Sequence, residues 1–180
     1  MPSSNIPPLI TDLDRIAALA EARHNDTRAF SYYVEIMWTR EKRSTAELDT
    51  LVDAIAADVE AHIDCTACAN CCRGLSVGLT KADMIPLAEA LHLHPDDVTE
   101  RYVDRKTGAK FNEWGVFRQS PCAFLNGKHC SLYAYRPQSC REYPAFTPQF
   151  RWLIDDIAAG ANKCPIIFNV IERLKHELGW

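Results

Sequence analysis

Apolar residues recur every three or four positions through the first third of the chain, a spacing typical of amphipathic helices. The pattern predicts three helices, over residues 9–24, 28–42 and 45–62. Thr11 or Asp12 would cap the first helix, and the acidic residues that follow Thr45 would stabilise the start of the third. We therefore expect residues 1–61 to form an N-terminal helical segment.

Gly74 should end the third helix or its continuation. The elements predicted after it are shorter and include strands as well as helices. Leu75, Val77 and Leu79 alternate with small residues, as in a short strand. Thr80 then has capping-box spacing to an acidic residue and should begin a helix that runs to residue 91.

Two proline positions predict further helix starts. Pro95 follows a histidine and precedes two acidic residues, and Pro165 begins an amphipathic stretch that runs to Leu178. Proline is well suited to the first turn of a helix, where its missing N–H is not needed. Each proline is therefore expected near the N-terminus of a helix.

The remaining segments predict a loop, a hairpin and a strand. Residues 107–120 are polar and aromatic without a clear period, which indicates a loop. The pair Asn126-Gly127 lies between two short apolar runs, a strong hairpin signal. Residues 150–154 could add a strand. The predicted fold class is therefore α+β, mainly helical, with a short β-hairpin and a cysteine-rich metal-binding core in residues 62–180.

Composition argues against two classes of partner. The net charge of 180 residues is −4, so the chain lacks the basic surface that nucleic acid requires. No stretch approaches the roughly 20 apolar residues of a membrane span, and the N-terminus does not resemble a secretory signal. We expect a cytoplasmic protein with no nucleic acid or membrane partner. A protein partner of unknown identity stays open.

Cysteine is the most informative residue type, because the chain has eight and four of them fall within residues 65–72. The cytosol keeps thiols reduced, which favours metal ligands or redox groups over disulfides. Cys71 and Cys72 are adjacent and should point in different directions, which favours more than one ligand set or a cluster with several metals.

The eight-residue stretch allows two geometries. If the third helix continues, Cys65, Cys68 and Cys72 form one stripe along it. If the segment is a loop, Cys65, Cys68 and Cys71 have the spacing that wraps an iron–sulfur cluster in bacterial ferredoxins. Either geometry gives three thiolates to one centre, with the fourth ligand contributed from Cys122 or beyond.

Motifs across residues 62–178 resemble the YkgJ-type cysteine-cluster family. The matching residues are Cys65-x2-Cys68-x2-Cys71-Cys72, Leu79-Thr80-x2-Asp83, Pro121-Cys122-x-Phe124-Leu125, Cys130-x-Leu132-Tyr133-x2-Arg136-Pro137-x2-Cys140-Arg141-x-Tyr143-Pro144 and Cys164-Pro165. The resemblance implies a zinc- or iron-chelating domain, often labelled iron–sulfur. It implies that the metal ligands are Cys65, Cys68, Cys71, Cys72, Cys122, Cys130, Cys140 and Cys164.

Iron–sulfur or another iron centre is the first choice of cofactor, and structural zinc in an interaction module is the alternative. A related cysteine cluster occurs in flagellin lysine N-methylases, but this chain shows no glycine-rich loop for S-adenosylmethionine. A thiol–disulfide oxidoreductase is disfavoured because Cys65-x2-Cys68 lacks a βαβ context. Arg136 and Arg141 would place positive charge near the thiolates and lower their pKa values, or else pair with acids such as Glu142. His62 and His129 are weaker ligand candidates.

Overall fold

A computed structural model describes residues 6–40 and 43–180, apart from the side chains of residues 37 and 39. The chain packs as two compact units. The helical unit combines the described residues up to Asp64 with Pro144–Trp180, and the cysteine unit is Cys65–Tyr143. The predicted domains, 1–61 and 62–180, stay a prediction.

Helices account for most of the described chain. They are α1 Leu13–Ala22, α2 His24–Arg40, α3 Thr45–Glu60, α4 Cys65–Cys68, α5 Asn70–Gly74, α6 Met84–Leu91, α7 Pro95–Tyr102, α8 Arg105–Lys110, α9 Gln138–Glu142, α10 Phe150–Ala158 and α11 Pro165–Glu177. The strands are β1 Gly78–Leu79, β2 Val103–Asp104, β3 Gly115–Phe117, β4 Leu125–Asn126 and β5 His129–Cys130. A 3-10 turn covers Tyr133–Tyr135. This mainly helical chain with small antiparallel sheets confirms the predicted α+β class.

The helical unit begins with the three predicted helices. Asp12 is the cap of α1 and accepts a hydrogen bond from the Arg15 N–H, whereas α3 is capped by Ser44 in a reciprocal box with Glu47. Residues 41 and 42, which the predicted second helix includes, lie outside the described residues. Helix α11 packs against α3 and α1, and the shared core includes Ile16, Leu48, Val52, Val59, Phe168, Ile171 and Leu174.

The strand expected at residues 150–154 is wrong, because this segment begins α10. Asp49 on α3 accepts hydrogen bonds from the N–H groups of Gln149 and Phe150, at 2.8 and 2.9 Å. These bonds satisfy two donors at the helix start, the role of an N-cap residue. Phe150 and Ile154 are buried one turn apart on the resulting helix.

A buried lysine joins helix α11 to helix α2 within the helical unit. Lys175 on α11 is 6% exposed, and its ammonium donates to Asp26, Thr27 and Glu172 at 2.8, 2.9 and 3.0 Å. The indole of Trp180 donates to the other oxygen of Asp26 at 2.9 Å. The lysine charge is therefore satisfied, as a buried charge must be.

The cysteine unit contains a three-stranded antiparallel sheet in the order β1–β3–β2. Its central strand, β3, lies within residues 107–120, so the loop predicted there is wrong. Asp104 caps α8 in the same region by accepting from the N–H and hydroxyl of Thr107. A Cβ on Gly108 would lie 2.5 Å from the Cα of Gly115, so helix α8 and strand β3 approach closely at two glycines.

Helices α6 and α7 pack together and form an apolar core with the sheet. The helix start predicted at Pro95 is present, with His94 capping α7. Reciprocal Thr80–Asp83 hydrogen bonds also form as predicted, but α6 begins only at Met84. None of the helices in residues 6–40 and 43–180 has the length and apolar character needed to cross a membrane.

Candidate metal centre

The cysteine motif of residues 65–72 folds as two short helical turns rather than as one helix or one loop. Cys65 and Cys68 lie on α4, while Cys71 and Cys72 lie on α5. Ala69 separates the turns with a left-handed backbone, φ 53° and ψ 18°, and is 4% exposed. Neither geometry expected from the sequence is therefore observed for the whole motif.

The sulfur atoms of Cys71 and Cys72 are 4.0 Å apart, closer than adjacent side chains that point in different directions would suggest. The carbonyl of Cys72 accepts a 2.8 Å hydrogen bond from the N–H of Cys122. Ser120 supplies a second link, because its hydroxyl donates to the carbonyl of Arg73 at 3.3 Å. Helix α5 is thus tied through its backbone to the segment that enters the hairpin.

The predicted hairpin is present and carries two cysteines. Strand residue Leu125 pairs with Cys130, and the Leu125 N–H donates to the Cys122 carbonyl at 3.0 Å. The connecting loop is Gly127 and Lys128, one residue later than the Asn-Gly pair suggested, with Gly127 at φ 62°. Cys122 and Cys130 both pack against the apolar core of the cysteine unit.

Cys140 lies on the short helix α9, which is attached by one hydrogen bond to strand β1 and by another to the turn before α6. The N–H of Gln138 donates to the carboxylate of Asp83 at 2.9 Å, and the hydroxyl of Ser139 donates to the carbonyl of Gly78 at 2.6 Å. Asp83 is 5% exposed, and its other oxygen accepts from Thr80. The Thr80-x2-Asp83 motif therefore positions Cys140 as well as starting a helix.

The thiols of Cys140 and Cys122 are affected by burial and by neighbouring thiols. Burial is the main reason why the pKa of Cys140 is raised to about 12, and the charges of Cys122, Cys72 and Cys130 raise it as well. Burial also raises the pKa of Cys122, with smaller increases from Cys72 and Cys130. We call Cys72, Cys122, Cys130 and Cys140 the four-cysteine set. The raised pKa values of Cys122 and Cys140 favour the protonated form of these two thiols until a cation compensates the thiolate charge.

The arginines around these thiols bind mainly to backbone carbonyls. Arg136 donates to the Tyr133 carbonyl and lies over the Tyr133 ring, while Arg141 donates to the Arg136 carbonyl. The Arg136 charge lowers the pKa of Cys140, as expected, but burial and the other thiols outweigh it. The acid Glu142 accepts instead from the Gln138 amide.

Arg73 is a positioning residue that the sequence did not reveal. Its guanidinium donates to the carbonyl of Cys68 at 2.9 Å and to the carbonyl of Gly127 at 3.3 Å. It therefore joins the end of α4 to the hairpin loop. Only its place directly after Cys72 could have drawn attention to it.

Cys65, Cys68 and Cys71 form the three-cysteine set of the motif, and Cys65 is exposed. Cys164 belongs to the helical unit, where it precedes α11 and is 7% exposed. His62 also belongs to the helical unit, and its ring Nδ1 lies 2.7 Å from the Asp58 carbonyl. His129 is an exposed residue of β5.

The donor chemistry of the four-cysteine set fits a zinc or iron ion, which both accept thiolate ligands. Within the described residues, no three histidine, cysteine, aspartate or glutamate side chains stand as a ready metal-ligand group. Side-chain rotation would therefore be needed to direct these sulfur atoms at one ion. Cys68 and the members of the four-cysteine set are present as thiols, which leaves them available for such ligation.

In a comparison with protein families, the chain matches the CxxCxxCC model over residues 64–165. Its description is "Putative zinc- or iron-chelating domain". The matched region contains all eight cysteines. No match was found among curated proteins or among solved structures.

Proposed function

This chain belongs to the CxxCxxCC family, and from that premise we propose that it holds an iron–sulfur or other iron centre through cysteine thiolates. The proposed ligands are the four-cysteine set, the three-cysteine set and Cys164. The observation that carries the proposal is the approach of four thiols from α5, the hairpin and α9 within one unit.

Iron is favoured over zinc by the spacing of Cys65, Cys68 and Cys71, which matches bacterial ferredoxins, and by the Cys164-Pro165 step. Bound iron would supply redox chemistry. In an iron–sulfur cluster, cysteine thiolates would hold that iron. The protein would exclude water from part of this site, because Cys122 and Cys130 pack on an apolar core. Reduced thiols also suit the cytoplasmic location that forms part of this proposal.

A structural zinc module is the second candidate, because the four-cysteine set alone supplies the donors of an all-cysteine zinc site. A thiol–disulfide oxidoreductase is less well supported. That reading concerns Cys65 and Cys68, which lie on the short helix α4, and among the described elements this helix is not part of a βαβ unit.

Anaerobic purification of the full chain, followed by iron, sulfide and zinc analysis, tests the choice of metal. We expect brown protein that contains iron and acid-labile sulfide. Zinc has no ligand-field colour or redox states, so a zinc protein would be colourless. Colourless protein without sulfide but with stoichiometric zinc would refute the iron proposal, and protein that retains neither metal would refute metal binding altogether.

A further inference from the structure

Two exposed tyrosines and two arginines lie on one short segment of the cysteine unit. The 3-10 turn leaves Tyr133 48% and Tyr135 36% exposed. The guanidinium carbon of Arg136 lies 3.6 Å from the centroid of the Tyr133 ring, and its Nε donates to the Tyr133 carbonyl at 2.9 Å. Arg141, which is exposed on α9, donates to the Arg136 carbonyl. We call Tyr133, Tyr135, Arg136 and Arg141 the tyrosine–arginine surface.

The arginines of this surface do not pair with a carboxylate within the part of the chain that the structure describes. Glu142, the acid next to Arg141 in the sequence, accepts instead from the Gln138 amide at 2.8 Å. A guanidinium has five N–H donors, and each arginine is fixed through a bond to one backbone carbonyl. Both side chains are therefore held in place and keep donors for a carboxylate from outside the chain.

The cysteine-bearing segments of the unit are free of acidic residues. Residues 65–82 and 114–141, which carry the seven cysteines of the cysteine unit, contain no aspartate or glutamate. Their basic residues are Arg73, Lys81, Arg118, Lys128, Arg136 and Arg141. Positive charge is thus concentrated on these segments, although the net charge of the whole chain is −4.

We propose that the tyrosine–arginine surface docks an acidic segment of a partner protein. A guanidinium can bind a carboxylate through two parallel hydrogen bonds. Tyrosine and arginine are enriched in protein interfaces, and the tyrosine rings add apolar contact area beside the charges. The bonds to backbone carbonyls fix the arginines before the partner arrives, which reduces the entropy lost on binding.

The kind of partner follows from the size and sign of the surface. Two arginines match a short run of carboxylates, whereas a nucleic acid backbone requires a larger basic patch or stripe. Arg141 directly follows Cys140, so the docked segment would lie beside a proposed metal ligand. The inference goes beyond metal binding and does not depend on whether the cysteines hold iron or zinc.

The test uses the full-length protein as purified anaerobically, titrated against a fluorescein-labelled peptide of glutamate and leucine. A lysine–leucine peptide of equal length is the charge control, and fluorescence anisotropy should show binding of the acidic peptide only. Arg136→Gln/Arg141→Gln should weaken that binding by about tenfold or more, because two charge-assisted contacts are lost. Lys106→Gln/Lys110→Gln removes the same charge from exposed positions of α8 and should bind within about twofold of wild type.

Circular dichroism and metal analysis of each variant would be carried out in parallel, so that failure of metal binding and failure of docking are distinguishable. If the double arginine variant does not fold, Arg141→Gln replaces it and should bind the acidic peptide more weakly than Lys110→Gln does. No binding of the acidic peptide by wild type, or equal weakening in the two double variants, would overturn the docking surface. Loss of metal with unchanged peptide binding would assign the arginines to the thiolates instead, and tighter binding of oligouridine than of the acidic peptide would overturn the choice of a protein partner.

Discussion

The carboxylate of Asp83 holds the backbone N–H of Gln138, 55 residues later in the chain, through a 2.9 Å hydrogen bond. The same carboxylate accepts from the N–H and hydroxyl of Thr80. One buried side chain thus connects the start of α6 with the first turn of α9. Cys140 lies two residues after Gln138, so the position of this thiol depends on a residue with no metal-binding role of its own.

Replacing Asp83 with alanine should destabilise the protein by about 1–3 kcal/mol, because buried donors lose their acceptor. It should also make Cys140 more reactive towards an alkylating reagent in the metal-loaded protein. Thermal melts and cysteine mapping would measure the two effects. Asp97→Ala, which removes an exposed carboxylate, is the control and should change stability by only a few tenths of a kcal/mol. Unchanged Cys140 protection in a folded Asp83→Ala protein would contradict the positioning role.

Gly108→Ala should cost about 1–3 kcal/mol, because the added methyl group would meet the backbone of Gly115 at 2.5 Å. Urea unfolding would measure the loss. Gly74→Ala is a suitable control in the same unit, since nothing lies within 4 Å of its added Cβ. Equal stability of the two variants would show that α8 can move away from β3 without cost.

Asp49→Ala should destabilise the helical unit by about 0.5–2 kcal/mol, the usual cost of losing an N-cap. The reason is that the Gln149 and Phe150 N–H groups lose their shared acceptor. Asp53→Ala is the matched control on the same helix, where one exposed bond from the Thr147 hydroxyl is lost. A cost in Asp53→Ala as large as in Asp49→Ala, measured by chemical denaturation, would argue against the capping role.

Stability should fall with acid partly because of Asp26. Hydrogen bonds from Lys175 and then Trp180 are the main reasons why the pKa of Asp26 lies below its ordinary value of 3.8. The folded state therefore favours the carboxylate, and this stabilisation is complete above pH 3.8 and is lost as the pH falls through the lower folded pKa. Asp26→Asn should be less stable than wild type at pH 7, with a difference that shrinks below pH 3.8. A difference that stays constant over this range would refute the linkage.

Removal of the metal should lower the melting temperature, because ligands far apart in sequence lose their common anchor. Circular dichroism before and after anaerobic chelation would detect this, and restoring the metal should restore the original melt. The sequence predicts that much of residues 62–178 unfolds. A melting temperature that does not change after complete metal loss would contradict this expectation.

Local signals in the sequence predicted the elements whose stabilising groups are close in the chain. The His94-Pro95 helix start, the Thr80–Asp83 box and the helix after Pro165 are all present. Each depends on contacts within a few residues. Patterns of this kind can therefore be recognised without knowledge of the tertiary fold.

The errors occurred where distant residues decide the structure. Helix α10 is capped by Asp49, about 100 residues away, and strand β3 is stabilised by pairing with both β1 and β2. The eight candidate ligands could be named from their pattern, but their grouping could not. Contacts such as the hydrogen bond between the Cys122 N–H and the Cys72 carbonyl join segments about 50 residues apart, and cysteine spacing does not encode them.

The left-handed backbone at Ala69 also sets a limit on how the motif can vary among relatives. Such a conformation costs most side chains about 1–2 kcal/mol, whereas glycine adopts it readily and asparagine tolerates it. Burial of Ala69 to 4% exposure adds a restriction on size. The position directly after the second cysteine should therefore be confined to glycine, alanine or another small residue, whereas the position after it, Asn70, has the ordinary backbone of a helix start. Of the two unspecified positions between the second and third cysteines, the first is therefore restricted in this fold by both its backbone conformation and its size.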